Sequence, residues 1–386
     1  MHIAYVTTYD VYDSQQWPQE NTGLYSTGRY IAKGLEKAGA NLEYFGPLRK
    51  SKSVITKSKW QLYRTLFEKD YYSWAEPTVL NSYARQVEAN LAKSDANVIF
   101  AAENIVPIAH LRSSKPVALY TDAPLIAMVD FYPYLSNLCK ETARNLFRME
   151  KQGLESCQLV IYASEWAAQK AIEAYGIAPE KVKVLPRGAN VEDERTVDEA
   201  KAIVNTKAPS PCKLLFLGFE WQRKGGDIAF EVAETLNTRG LNTELIVVGT
   251  TPPRALPDYV KVVGKINKSA PEGQAKFREI LSESHFLILP TRAEAFGLVF
   301  CEANSFALPC IASDVGGIPT AIKDGINGQK FSLKTEISEY AEYILFLMQN
   351  YEKYQELALS SFMEYKTRLN WKSIGQSLYQ QLQELG

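Results

Sequence analysis

Residues 286–314 read FLILPTRAEAFGLVFCEANSFALPCIASD. Phe286–Leu289 is a short apolar run and predicts a buried strand. After a polar break, residues 297–306 predict a helix, and residues 309–312 predict the next strand. A strand, a helix and a second strand in close succession form a βαβ unit. Such units build parallel sheets with helices on their faces.

The same rhythm extends outward. Upstream, 213–219, 244–248 and 260–263 predict strands, with a helix over 226–239. Before them lies 187–211, RGANVEDERTVDEAKAIVNTKAPSP, which is polar and ends in a Pro/Ser cluster. It reads as an interdomain linker with room for one helical turn. A first set precedes it: strands over 2–8, 41–45, 97–101, 117–120, 159–163 and 182–185, and helices over 23–39, 140–155 and 165–175. Two consecutive α/β wraps follow, each a doubly wound parallel sheet. The expected organisation is 1–190, a linker 191–212, a second domain 213–368 and a terminal helix 369–386. Trp371, Ile374, Leu378 and Leu382 form that helix's apolar stripe.

The bulk numbers agree with a soluble two-domain protein. The chain has 386 residues, 46% apolar and 23% charged, which excludes fibrous and disordered classes. Its 43 basic and 44 acidic residues nearly cancel, so no nucleic-acid partner is expected. Five cysteines lack CxxC spacing and three histidines are scattered, so no metal or disulfide framework is expected, and a reducing cytoplasm is. The opening MHIAYVTTYD has no signal-peptide character, and no run of 18 apolar residues occurs.

Five segments could carry chemistry. In Thr291–Ala307, Gly297 opens a helix whose N-terminal peptide groups favour an anion. Glu294 precedes that helix and Glu302 lies within it, where an acid is exposed, ion-paired or bound to a ligand; taken alone, a structural pairing is the first reading for Glu302, and Glu294 is similarly open. In Phe216–Asp227, Arg223 and Lys224 follow a strand end, where two cations could hold a diphosphate; a solvated loop pair is the alternative. Gly23 lies between the first strand and helix and could admit a ligand or only a turn. Asp122 follows the strand 117–120 and could face a ligand or only cap a turn. Finally, Arg49–Lys69 has seven basic residues, one acidic residue and interleaved Trp60, Tyr63 and Phe67. It reads first as a solvated loop and second as a surface for an anionic membrane, lipid phosphate or glycan, which would place the protein peripherally on the inner membrane face.

The run from Glu294 to Glu302, EAFGLVFCE, with the following ALPCIASDVGGIP and DGING, resembles the E-x7-E signature of retaining glycosyltransferases of family four, which have the GT-B fold. RKGGD at 223–227 and the glycine at 23 fit the same family. The resemblance covers essentially the whole chain and is densest between 286 and 331. It implies two Rossmann-like domains facing across a cleft, with the acceptor on the first and a nucleotide diphosphate sugar on the second. Glu294 would accept from hydroxyls of the donor sugar, and Glu302 from the ribose. Arg223 and Lys224 would neutralise the diphosphate, and backbone groups of Phe296, Gly297 and Leu298 would meet sugar or phosphate. Lys265 and Ile266 would lie near the base, which is expected to be uracil. Gly23 would let the first loop approach, and the terminal helix would cross back to the first domain with Trp371 as its anchor. Where many members carry a histidine near the reacting sugar, this chain has Asp122, which would orient the acceptor or support developing positive charge. The resemblance thus implies retaining, metal-independent hexosyl transfer to a glycan, lipid-linked or small-molecule acceptor, with no cofactor. A nucleotide-sugar epimerase, a phosphorylase and a non-catalytic nucleotide- or glycan-binding protein are the alternatives.

Overall fold

A computed structural model describes residues 1–386 except 18–21, 52, 193–194, 254–255 and 269. It divides into two compact units, Met1–Pro186 with Trp371–Gly386, and Arg187–Asn370.

The first unit holds strands β1 (His2–Val6), β2 (Asn41–Phe45), β3 (Val98–Ala102), β4 (Val117–Thr121), β5 (Leu159–Tyr162) and β6 (Val182–Val184). They form one parallel sheet in the order β2-β1-β3-β4-β5-β6. Every residue of β3 and β5 is buried, as expected where helices cover both faces of a parallel sheet. Local signals set the helix ends. Ser164 caps Glu165–Tyr175 by accepting from the Ala167 N–H at 3.2 Å, and Gly176 ends that helix at φ +64°.

The second unit repeats the plan with β7 (Cys212–Leu217), β8 (Thr243–Val248), β9 (Val260–Gly264), β10 (Phe286–Leu289), β11 (Cys310–Ser313) and β12 (Gly328–Phe331). Their parallel order is β12-β11-β10-β7-β8-β9. β10 and β11 are wholly buried. The quoted stretch 286–314 is therefore a central βαβ unit of this sheet, with its helix at Leu298–Asn304.

Two segments differ from their sequence reading. Within Arg49–Lys69, read as a solvated loop, Val54–Leu66 is a helix capped by Ser53, whose hydroxyl accepts from the Ile55 N–H at 3.2 Å. No Gly or Pro interrupts residues 48–76, so nothing in the chain opposes it. Within 191–212, read as a linker, Val197–Thr206 is a helix packed on Tyr351–Arg368. Its capping box joins Thr196 and Glu199 reciprocally.

The terminal helix Trp371–Gln383 lies on helix Thr22–Lys37 in the first unit. Trp371, Ile374, Leu378 and Leu382 are buried. The two backbones meet at paired glycines: a Cβ on Gly375 would stand 2.3 Å from the Gly34 carbonyl oxygen, and one on Gly34 would stand 2.7 Å from that of Trp371. No side chain fits between them without separating the helices. Gly375→Leu is expected to cost about 1–3 kcal/mol or more and to loosen the terminal helix. Limited proteolysis should then cleave near residue 371 faster than in the parent, and unchanged cleavage would contradict this account.

Candidate functional site

In the second sheet the chain runs from β7 outward to β8 and β9, then returns to place β10 on the other side of β7. Strand order thus reverses between β7 and β10. The region outside the carboxyl ends of two such strands is the usual ligand position of an open α/β sheet. The β7 loop carries Arg223 and Lys224, and the β10 loop carries Glu294.

The two loops are tied at close range. The Arg292 N–H donates to the Arg223 carbonyl at 2.7 Å, and the Thr291 hydroxyl donates to the same oxygen at 3.0 Å. In return, Arg223 Nη1 donates to the Ala293 carbonyl at 2.8 Å, while its Nε donates to Glu220. The Arg292 guanidinium grips both oxygens of Asp227, at 2.9 and 2.7 Å. Burial opposes ionisation of Asp227, but that fork holds its carboxyl below the usual range. Gly225 permits the contact: its φ is +75°, and a Cβ there would lie 2.0 Å from the Pro290 carbonyl oxygen.

Within this frame Lys224 Nζ donates to Glu294 Oε2, joining residues 70 apart in the chain. Both side chains are largely buried. The Glu294 carbonyl accepts from the Gly317 N–H at 3.1 Å, which fixes the acid from its backbone side. Gly297 precedes helix Leu298–Asn304 at φ +89°, and a Cβ there would strike the Phe300 ring at 2.5 Å. Phe296 is fully buried, whereas Gly297 and Leu298 are half-buried.

Glu302 is buried in that helix and accepts from Lys268 Nζ at 2.6 Å. Lys268 lies in the loop after β9, with its ammonium 4.4 Å from the Phe277 ring centre. That bond brings the 265–268 loop beside Glu302. Lys265 in it is exposed and Ile266 half-buried. The second unit therefore gathers Arg223 and Lys224 with Glu294, and Glu302 with the Lys265–Lys268 loop. Among the described residues, no three His, Cys, Asp or Glu side chains cluster as metal ligands.

Gly23 and Asp122 belong to the first unit. Gly23 lies in the first turn of helix Thr22–Lys37, exposed, with no atom within 4 Å of where a Cβ would sit. Asp122 is half-buried just past β4. The next turn is held by Glu150, which accepts from the Leu125 N–H at 2.9 Å and from the Tyr175 hydroxyl. Burial pushes the Glu150 carboxyl up to about 7.

Sequence reasoning missed Lys268, the Arg292–Asp227 fork and Glu150. A lysine two residues beyond Ile266 was the only available signal for Lys268. It missed Glu103 as well. That residue follows β3, is buried, and has φ +66°, a strained conformation for a non-glycine residue. Strand order in the first sheet reverses between β1 and β3, so Glu103 stands at its switch point.

The duplicated doubly wound sheets define a GT-B fold. The sucrose-phosphate synthase of Thermosynechococcus elongatus superposes with a TM-score of 0.68 at 18% identity, covering 100% of this chain and 99% of that one. Anabaena Alr3699/HepE in complex with UDP-glucose superposes with a TM-score of 0.61 at 18% identity, covering 100% of both. The family models agree. Residues 27–193 match "Glycosyltransferase Family 4", and residues 211–350 match "Glycosyl transferases group 1". The chain belongs to glycosyltransferase family four. A D-inositol 3-phosphate glycosyltransferase of Acidothermus cellulolyticus is 31% identical over 175 residues, 42% of this chain and 39% of the relative. Its counterpart in Nocardia farcinica is 27% identical over 191 residues, 46% of this chain and 42% of the relative. These alignments span about two fifths of the length of the curated relatives.

Proposed function

We propose that the chain transfers a hexose from a nucleotide diphosphate sugar to an acceptor hydroxyl, retaining the anomeric configuration and needing no metal. The observation that carries this reading is the Lys224–Glu294 pair at the strand-order reversal, with Arg223 beside it. An incoming diphosphate draws the Lys224 ammonium to its oxygens, and Glu294 is released to accept from hydroxyls of the sugar. As the glycosidic bond breaks, charge grows on the departing phosphate, and Lys224 and Arg223 stabilise it in place. The Phe296–Leu298 backbone supplies further donors. Ribose hydroxyls replace the Lys268 ammonium as donors to Glu302, and Lys265 and Ile266 flank the base.

UDP is the proposed nucleotide, since HepE of the same fold is solved with UDP-glucose. The acceptor, a glycan, lipid-linked or small molecule, goes to the first unit, where Asp122 orients its hydroxyl and Gly23 leaves space for it. Tyr9 and Tyr25 stack there with centroids 3.8 Å apart, and Trp17 stands edge-on to both, an aromatic wall suited to a sugar or cyclitol ring. All five cysteines are buried with no disulfide between them, and the proposed setting is cytoplasmic.

The test is a thermal-shift panel of nucleotides and their sugars, followed by transfer to D-inositol 3-phosphate and simple glycosides. UDP at a hundred times its dissociation constant should add about 2.7 kcal/mol to native stability. An α-linked donor should yield an α-linked product by NMR, at a rate that chelator leaves unchanged. No shift with any nucleotide would refute the donor site, a β-linked product would refute retention, and loss of rate in chelator would refute metal independence.

A further inference from the structure

We propose that helix Val54–Leu66, with the neighbouring basic stripe of helix Lys140–Ser156, docks the first unit on an anionic lipid bilayer. This surface does not depend on the transfer reaction. None of the helix's residues is buried. Val54 is 82% exposed, Ile55 68%, Leu66 69% and the following Phe67 58%, with Trp60 and Leu62 at 47% each. That much open apolar surface on one short element calls for a cover.

The helix meets the body of the unit along a narrow arc. Lys59 bridges Glu76 at 3.1 Å and Glu141 at 2.6 Å, and the Tyr63 hydroxyl donates to Glu141 at 3.1 Å while its ring stacks on Tyr71. At 3.6 residues per turn, Ile55, Leu62 and Leu66 line one flank of that arc, and Trp60 and Phe67 line the other. Between the flanks runs the outward face, where Lys57, Ser58, Gln61, Arg64 and Thr65 surround the exposed Val54. A fluid headgroup layer surrounds a half-sunken helix and covers both flanks.

Charge names the kind of bilayer. Arg49–Lys69 carries seven basic residues against Glu68 alone, and of the seven Lys59 is neutralised by Glu76 and Glu141. Arg64 holds its guanidinium 5.0 Å from the Trp60 ring, an aromatic-cation pair of the kind found at headgroup depth. Across the Glu141 contacts, Lys140, Arg144, Phe147 and Arg148 form an exposed stripe along the adjoining helix. Two neighbouring elements thus present cations with interleaved apolar side chains, although the whole chain has a net charge of only −1. Among the described residues no helix is long and apolar enough to cross a membrane, so the proposed contact is peripheral.

The experiment is co-sedimentation of the full chain with vesicles at low salt. The parent should be retained on phosphatidylcholine–phosphatidylglycerol vesicles and not on phosphatidylcholine alone, and high salt should release it. Lys57→Glu with Arg64→Glu should weaken retention by about fivefold or more for each cation lost. Leu62→Glu with Leu66→Glu should weaken it by at least about tenfold, with an unchanged circular dichroism spectrum. Absence of retention on the anionic vesicles, equal retention on both kinds, or full retention of the Leu62→Glu, Leu66→Glu variant would overturn the proposal. So would a parent dimer that this variant dissociates, since the surface would then serve a second copy of the chain.

Discussion

Lys224→Ala is expected to lower the turnover number for hexose transfer by about a thousandfold, with a much smaller change in the donor's Michaelis constant. The ammonium is held in advance beside Glu294, in a largely buried site where charge interacts strongly. On the proposed mechanism, its attraction for the diphosphate would rise as the leaving group gains charge, so its loss would fall mainly on the transition state. Removal also strands the Glu294 carboxylate without its lysine, and breaking a buried pair in this way costs about 3–5 kcal/mol. A second variant separates the two effects. The double variant Lys224→Ala, Glu294→Gln leaves no orphaned charge, so it should fold as the parent does yet still lose most of its turnover. Stopped or steady-state kinetics beside circular dichroism would decide the matter. A folded Lys224→Ala protein keeping more than about a tenth of the parent rate would remove Lys224 from the reaction.

Lys207→Met is expected to stabilise the protein, and by an amount that depends on pH. The Lys207 ammonium nitrogen is buried with no hydrogen-bond partner among the described residues, and burial lowers its pKa from 10.5 to about 7. Close by, burial and the Lys207 charge hold His285 down at about 4. Below pH 7 the amine is charged in both folded and unfolded chains, and the folded chain bears the full desolvation cost. Between pH 7 and 10.5 the unfolded chain binds more protons than the folded one, so parent stability rises with pH. The shift corresponds to at most about 5 kcal/mol. Methionine fills a similar volume and carries no charge, so the variant's advantage should be greatest near pH 6 and shrink as pH approaches 10. Thermal unfolding of both proteins across that range measures it. A constant or growing gap between them would contradict a buried, unpaired amine.

Strands were the most legible part of this molecule. β10, Phe-Leu-Ile-Leu, is apolar at every position because both faces of the sheet are covered, and a run of that kind is visible without any structure. Helices with weak stripes were harder. Val54–Leu66 buries nothing, so the periodicity that marks a helix against a core is absent from it. The helix Val197–Thr206 announced itself through Thr196 and Glu199, yet the polar residues around it resembled a connector. For the site, motif spacing singled out Arg223, Lys224, Glu294 and Glu302 one segment at a time. It could not show that residues 70 apart share a hydrogen bond, because that follows from β7 and β10 being neighbours in the sheet. Lys268 was invisible for the same reason: its significance comes from a buried acid 34 residues away.

Both ends of the first unit's chain are separated by the whole of the second, which enters and leaves through adjacent backbone: the Ala189 N–H donates to the Leu369 carbonyl at 2.9 Å. The order of synthesis then matters. Helix Thr22–Lys37 leaves the ribosome early, but its glycine-lined partner, Trp371–Gln383, follows only after the entire inserted unit. At ordinary translation speeds that interval lasts roughly 17 to 70 seconds. Throughout it, the Gly34 face of the first helix stays uncovered, a target for chaperones on the nascent chain.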